Sequence, residues 1–247
     1  MTQTAGAFAL DRTADHAADH ATPAERGYLE VIYYLAARPE PVISARIARW
    51  LQVRPPTVTQ TLQRIEVKGL ITRDGHGAIH LTDAGRTIAE EVVRRHRLVE
   101  RFLFDVMGIP WHMIHQEASK LEPVLSPVLE AQMMKLVGDV TDCPHGNPMP
   151  GHSTPLTHDT RLSDAPVGSD FVLNRIDEEA GEDTCTLQIL WARGLLPGAT
   201  LTRLPDPSNG LAIRRGDKRI VLSRRVAALL WGRSDADPPA TAAPHSA

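Results

Sequence analysis

The sequence predicts a mainly α chain with a small β component, and three observations carry that prediction. Residues 22 to 71 repeat apolar side chains at helical spacings, interrupted by a proline-marked turn. Residues 82 to 137 continue the helical pattern with longer segments. Beyond residue 166 the pattern changes to short apolar and β-branched runs separated by glycine and proline. The organisation read from these shifts is an N-terminal tail (1–21), a winged helix-turn-helix (22–85), a helical domain (86–151), a linker (152–166), a small antiparallel barrel (167–232) and a polar tail (233–247).

Thr22-Pro23-Ala24-Glu25 has the form of a helix start, with Thr22 as cap, Pro23 at the first position and Glu25 completing a capping box. The helix runs to about Ala37 and buries Tyr28, Leu29, Ile32 and Leu35. In the next helix Ile43, Ile47 and Leu51 share a face. Gln52 to Pro56 form a turn, and a second helix from Pro56 turns Val58, Leu62 and Ile65 inward. Its opposite side exposes Thr57, Thr59, Gln60, Gln63 and Arg64, side chains able to hydrogen-bond base edges and phosphates from a major groove. Ile71 to Leu81 reads as a hairpin, or wing, around Asp74-Gly75-His76-Gly77. The DNA-contacting candidates are Arg46 on phosphate and Pro56, Thr57, Thr59, Gln60 and Arg64 on the second helix, with Thr59 and Gln60 placed for bases.

An ordinary helical hairpin would show the same apolar spacing, but charge argues against it. Between Arg38 and Arg73 stand seven basic and two acidic residues, in a chain of net charge -3. A chain acidic overall and basic around its exposed helix is suited to meet phosphate there.

Composition sets the remaining bounds. The 247 residues are 42% hydrophobic, enough for two or three small cores, and no apolar run is long enough to span a membrane. The N-terminus lacks a basic-then-apolar signal pattern, so a cytoplasmic protein is expected. Cys143 and Cys185 match no zinc or redox spacing and are expected as free thiols. Of the histidines, His16, His20 and His245 fall in the tails. Zinc-protease, phosphate-loop and nucleophile-elbow motifs are absent, and the expectation is that this is not an enzyme.

The helical region carries a candidate metal site. Thr82 to Arg86 start a helix running to about Met107, with Ile88, Val92, Val99, Leu103 and Val106 apolar; Trp111 to Leu121 and Ser126 to Val137 form two more. Helices that follow a DNA-binding wing commonly supply a dimer interface, and a two-fold protein matches a palindromic operator. His96 and Glu100 lie four apart on one face of the long helix, and His115, Ser119 and Glu122 share a face of the next. Nitrogen and oxygen donors without thiolate suit Mn(II) or Fe(II), and Zn(II), Co(II) or Ni(II) also bind such sets. The plainer alternative is a solvated helix pair. A hydrolase built on His96, His115 and Glu100 would need a general base and a cleft that nothing in the sequence specifies. A metal-buffering or interaction protein would leave the local basic excess without a purpose. The strands expected after the linker are Phe171 to Ile176, Thr184 to Leu190, Thr200 to Leu204, Leu211 to Arg214 and Arg219 to Ser223.

Residues 22 to 151 resemble the diphtheria toxin repressor family of metal-dependent transcription regulators, iron- and manganese-sensing alike. The matching stretches are Tyr28-Leu29-Glu30 with Ile32-Tyr33, Pro56 to Thr61, Leu81-Thr82 with Gly85-Arg86, His96 to Arg101, and Gly146-Asn147-Pro148 with Pro150-Gly151. The segment after 165 is similar to the SH3-like (FeoA-like) third domain of longer members, best marked by Gly194 to Gly198. The resemblance implies a homodimer that binds a metal corepressor and then a double-stranded operator, usually to repress metal uptake. It names no other protein partner.

The family's ancillary metal site maps onto His96, Glu100 and His115, with Glu182 or Asp183 as an acid from the third domain and Thr186 at an amide position. Its primary site departs from the pattern: Gly27, Ser119 and Pro123 stand where the family has ligands, Glu122 matches, and Glu30 matches a glutamate of manganese sensors. Two readings follow. His96, Glu100, His115 and Glu122, with Glu30, form a rearranged site, for which the lack of a Cys or Met ligand favours Mn(II) over Fe(II); or metal control is lost and DNA binding is constitutive.

Overall fold

The computed structural model describes residues 21–151 and 159–235. Residues 1–20 of the N-terminal tail, residues 152–158 of the expected linker and most of the C-terminal tail lie outside the described residues. The chain divides into two compact units, Met1–Val93 and Arg94–Ala247.

In the first unit, α1 (Pro23–Ala36) begins with the capping box: Glu25 N–H donates to Thr22 Oγ1 and Thr22 N–H donates to Glu25 Oε2. Helix α2 (Ser44–Leu51) ends at Gln52, whose φ of 55° turns the chain toward α3 (Pro55–Val67). Leu29, Ile32, Ile47, Val58, Leu62 and Ile65 are fully enclosed, so the inward face of α3 is the expected one. Ile43, expected inside, instead precedes α2 and is 39% exposed; Trp50 supplies that burial and stacks on Tyr34. Strands β1 (Ile71–Arg73) and β2 (Ile79–Leu81) pair antiparallel with Ile71 opposite Leu81. Asp74 closes their turn by accepting from the His76 and Ala78 N–H groups.

Helix α4 (Asp83–Arg101) continues into a π-turn, Phe102–Val106, so the expected helix to Met107 changes winding at its end. Val106 is 46% exposed rather than in the core. In the second unit, α5 (Ile114–Leu121) starts three residues later than expected because Trp111 to Met113 form a turn. Helix α6 (Pro127–Val137) is capped by the Ser126 hydroxyl.

The C-terminal sheet has six antiparallel strands in the order β3-β8-β4-β5-β6-β7. They are β3 (Thr160–Arg161), β4 (Asp170–Ile176), β5 (Thr200–Leu204), β6 (Leu211–Arg215), β7 (Lys218–Leu222) and β8 (Leu230–Ser234). Three expectations need correction. Thr184 to Leu190 is not a strand: it lies in helix α7 (Thr184–Ala192). Its β-favouring residues are overridden by Asp183, which caps the helix by accepting from Thr186 N–H, and by Leu187 and Leu190 turned into the core at helical spacing. The expected linker contains β3, and the last strand in chain order, β8, which follows the short helix α8 (Arg224–Ala227) and lies between β3 and β4, was not expected.

Candidate metal centre and DNA-binding helix

On α3, Pro56, Thr57, Thr59, Gln60 and Arg64 are all exposed, opposite the enclosed Val58, Leu62 and Ile65. Two of them carry local bonds: Thr59 Oγ1 donates to Pro55 O at 3.1 Å, and Arg64 Nη2 donates to Thr61 Oγ1 at 3.1 Å. Arg46 is placed differently from its expected role. Its guanidinium donates to the Glu40 and Pro41 carbonyls at 2.7 and 2.9 Å and pairs with Glu40, so it holds the turn before α2. Arg49 on α2 and Arg54 at the start of α3 are exposed and were not singled out from sequence.

In the second unit His96 and Glu100 lie one turn apart on α4 and face His115 from α5. His96 Nε2 stands 3.3 Å from Glu100 Oε1 and 3.2 Å from His115 Nδ1, which is itself 3.2 Å from the same oxygen. A third imidazole arrives from outside the helices: His145 Nδ1 lies 3.3 Å from Glu100 Oε1. The Cys143 thiol completes a second group with Glu100 and His145, and in each group the ligand atoms lie within 4.8 Å of one another. All five residues are buried. Sequence reasoning missed Cys143 and His145, because their segment has no helical or strand periodicity and Cys143 matches no ligand spacing.

That segment is tightly held. Cys143 N–H donates to Asn147 O, Gly146 N–H donates to Cys143 O, and Ile176 N–H on β4 donates to His145 O, each at 2.8 Å. Asn147 Nδ2 donates to Ile176 O, and Trp111 Nε1 donates to Pro144 O. Arg97 reaches the Pro148 carbonyl while pairing with buried Glu178 at 2.7 Å, and Arg101 pairs with Asp142. Gly146 has φ 84°, and a Cβ there would collide with the Asn174 carbonyl, so the turn that presents His145 requires glycine.

The remaining expected ligands separate by geometry. Glu182 Oε1 lies 3.8 Å from His115 Nε2, at the edge of the cluster. Gly181 sits against the His115 ring, where a Cβ would collide. Asp183 is occupied as the α7 cap, bonded to the Thr186 N–H and hydroxyl. Glu122 turns to Arg95 at 3.8 Å, because it lies in the tight turn after α5 rather than on that helix's inner face. Glu30, in the first unit, accepts from the Tyr34 hydroxyl at 2.8 Å. Ser119 bonds back to the His115 carbonyl.

Electrostatics favour a charged carboxylate here. Burial acts to raise the Glu100 carboxyl, but His145, His115 and His96 together hold it well below the usual range. Burial acts to lower His115, yet Glu100 and Glu182 push it up to about 10. Burial, with Glu100 and Glu178 nearby, raises the Cys143 thiol well above its ordinary value. Protein groups leave the cluster incompletely satisfied: Glu100 Oε2 and His145 Nε2 are buried with no hydrogen-bond partner. Buried polar atoms are rarely left so, and two orphans beside three convergent imidazoles fit a divalent cation held by nitrogen, oxygen and sulfur donors.

Comparison with known proteins matches all three regions of the chain. Residues 21–79 match the iron-dependent repressor N-terminal DNA-binding domain, and residues 82–151 match the iron-dependent repressor metal-binding and dimerisation domain. Residues 160–234 match the FeoA domain. The iron-dependent repressor IdeR of Mycobacterium leprae (strain TN) is 34% identical over 212 residues, covering 81% of this chain and 92% of that protein. The chain belongs to the diphtheria toxin repressor family. The diphtheria toxin repressor of Corynebacterium jeikeium (strain K411) is 41% identical over 124 residues, 50% of this chain and 52% of that one. Among solved structures, a manganese-dependent transcriptional repressor in complex with manganese aligns with a TM-score of 0.74 at 28% identity, covering 85% of this chain and 99% of that one. The manganese regulator SloR aligns at 0.71 and 26%, covering 87% and 100%. This family member is thus a metal-dependent DNA-binding repressor; its relatives are repressors rather than enzymes, which leaves the hydrolase alternative without support. Among the described residues no helix is long and apolar enough to cross a membrane.

Proposed function

We propose that this chain is a homodimeric repressor of metal-uptake genes. In this reading a divalent cation held by His96, Glu100, His115, Cys143 and His145 permits binding to a palindromic operator. The observation that carries the proposal is the convergence of three imidazoles on one buried carboxylate whose second oxygen has no partner. Glu182 is the outer ligand, and Glu122, Glu30 and Asp183 serve structure. The cation supplies a fixed link among its donors. What the chain supplies is their placement: α4 and α5 present two imidazoles and a carboxylate, and the Asp142–Met149 loop presents the third imidazole and the thiol. Such a link acts as a switch when the DNA-competent arrangement binds metal better than the alternative.

Mn(II) and Fe(II) are the proposed corepressors. The argument for manganese from the lack of a sulfur ligand does not survive, because Cys143 stands in the cluster. A softer donor moves the chemistry toward Fe(II), while the likeness to manganese repressors speaks for Mn(II). Dimerisation is supported by the outer side of α6, where Val128, Leu129 and Leu136 are 71%, 53% and 63% exposed. Thr57, Thr59, Gln60 and Arg64 on α3 are the proposed DNA contacts, with Arg49 and Arg54 taking the phosphate role expected of Arg46.

The test is fluorescence anisotropy on a palindromic uptake-promoter fragment at one fixed salt concentration, with Mn(II), Fe(II), Zn(II) or chelator. Binding that needs metal and is lost in Glu100→Gln supports the proposal, and the more effective ion names the corepressor. Binding unchanged by chelator would establish a constitutive DNA-binding protein instead.

A further inference from the structure

A second basic surface lies on the C-terminal sheet. Arg214 and Arg215 end β6, Lys218 and Arg219 begin β7, and Asp217 in the turn is the acidic residue among them. All four basic side chains are exposed. The register places like charges directly opposite each other, Arg214 with Arg219 and Arg215 with Lys218. Facing like charges destabilise a strand pair, so the arrangement has a cost in the free protein.

Neighbouring elements do not neutralise it. Arg214 Nη2 donates to the Thr202 hydroxyl at 3.4 Å, and that hydroxyl donates onward to Asp170 at 2.8 Å. The Arg215 guanidinium lies over Gly194. Among the described residues none of the four makes an ion pair with a carboxylate. Strand β7 is at the sheet edge, where basic residues deter unwanted strand pairing. That accounts for Lys218 and Arg219, but not for Arg214 and Arg215 on the interior strand β6.

We infer that the β6–β7 hairpin contacts the phosphate backbone of the DNA flanking the half-sites held by α3. This rests on the repressor reading and adds a second point of contact to it. Side chains alternate across a strand, so the Arg214–Arg219 pair and the Arg215–Lys218 pair project from opposite faces of the hairpin end. A ribbon end with cations on both faces meets phosphates on both walls of a groove. An acidic peptide lying along one face would leave half of the charge unmatched. Duplex DNA is the densest regular polyanion such an end could meet.

The experiment compares the metal-loaded wild type with the full-length variant Arg214→Gln, Arg215→Gln, Lys218→Gln, Arg219→Gln. Each is titrated across a salt series onto a core operator duplex and onto one extended on both sides by about one and a half helical turns. The expected result is a roughly 10-fold affinity loss on the extended duplex alone. Its log-affinity against log-salt slope should fall by about 2 to 4, corresponding to the phosphate contacts removed. Thermal melting confirms that the variant folds, with a midpoint at or above wild type because two like-charge pairs are gone. Equal affinity and slope on the extended duplex would overturn the assignment and leave the hairpin as edge protection. An equal loss on both duplexes would also overturn it, as a long-range effect of net charge. A wild type that binds neither duplex would sink the repressor reading and this assignment with it.

Discussion

Glu25 and Glu100 are both buried glutamates on helices, at 2% and 0% exposure, yet their surroundings differ in kind. Glu25 is held by its own unit: its Oε2 accepts from Thr22 N–H and from Lys68 Nζ at 2.8 and 2.7 Å, and the Arg64 guanidinium approaches its Oε1 to 4.0 Å. Glu100 places one oxygen before three imidazoles and leaves the other without a partner. The first carboxylate is held by groups of its own unit, whereas the second keeps a buried oxygen that the proposed cation would satisfy. Burial alone therefore does not mark a functional acid. Incomplete satisfaction does.

The sharpest way to break this comparison is Glu100→Gln. Metal affinity, read by chelator competition, should fall about 100-fold or more, as expected when a ligand rather than its support is removed. The melting temperature of the metal-free protein should also fall, because the three imidazoles that hold the Glu100 charge lose it and His115 loses the carboxylate that pushes it up. A metal-free protein strongly destabilised by this change, with metal affinity intact, would make Glu100 structural like Glu25.

Cys143→Ser comes next. It should weaken metal binding by about 10-fold and abolish the thiolate-to-metal charge-transfer band of the Co(II)-loaded protein. Retention of that band would place the thiol outside the coordination sphere and restore the sulfur-free donor set expected from sequence.

Glu25→Ala should act in the opposite sense, costing about 1–3 kcal/mol in denaturant unfolding while leaving metal affinity unchanged. The smallest effect is on pH dependence. Burial acts to raise Glu25, but Lys68 and the Thr22 cap prevail and lower it. Its stabilisation is therefore present above the ordinary glutamate value of about 4.3 and lost as pH falls through the lower folded value. Glu25→Gln should flatten the acid limb of the melting profile, and an unaltered limb would remove Glu25 from the ledger of charged contacts.

Much of this was legible because it is local. The capping box is read from Thr22 and Glu25 three residues apart, the inward face of α3 from Val58, Leu62 and Ile65, and three of the five residues of the candidate metal centre from His96 and Glu100 on successive turns and His115 on the next helix. The wing was legible too, since Asp74 and its glycines close the turn within a few residues. Helix α7 was misread because its residues favour strands individually, while the cap on Asp183 and the burial of Leu187 and Leu190 decide the outcome together.

By itself, then, the sequence determined the winged helix-turn-helix, the helical order that follows and the His96–Glu100 pair, all fixed by side chains within one or two turns of each other. His115 was expected beside that pair, and only the tertiary structure added Cys143 and His145 to the cluster. Cys143 and His145 belong to a segment with no periodicity, and they reach Glu100 because Trp111, Arg97, Asn147 and Ile176 anchor that loop through hydrogen bonds to its backbone. Glu122 keeps helical spacing from His115, but the chain leaves α5 in a tight turn that aims it at Arg95. Spacing along a helix sets the direction of a side chain; where a loop crosses that helix is set by contacts between residues far apart in the chain.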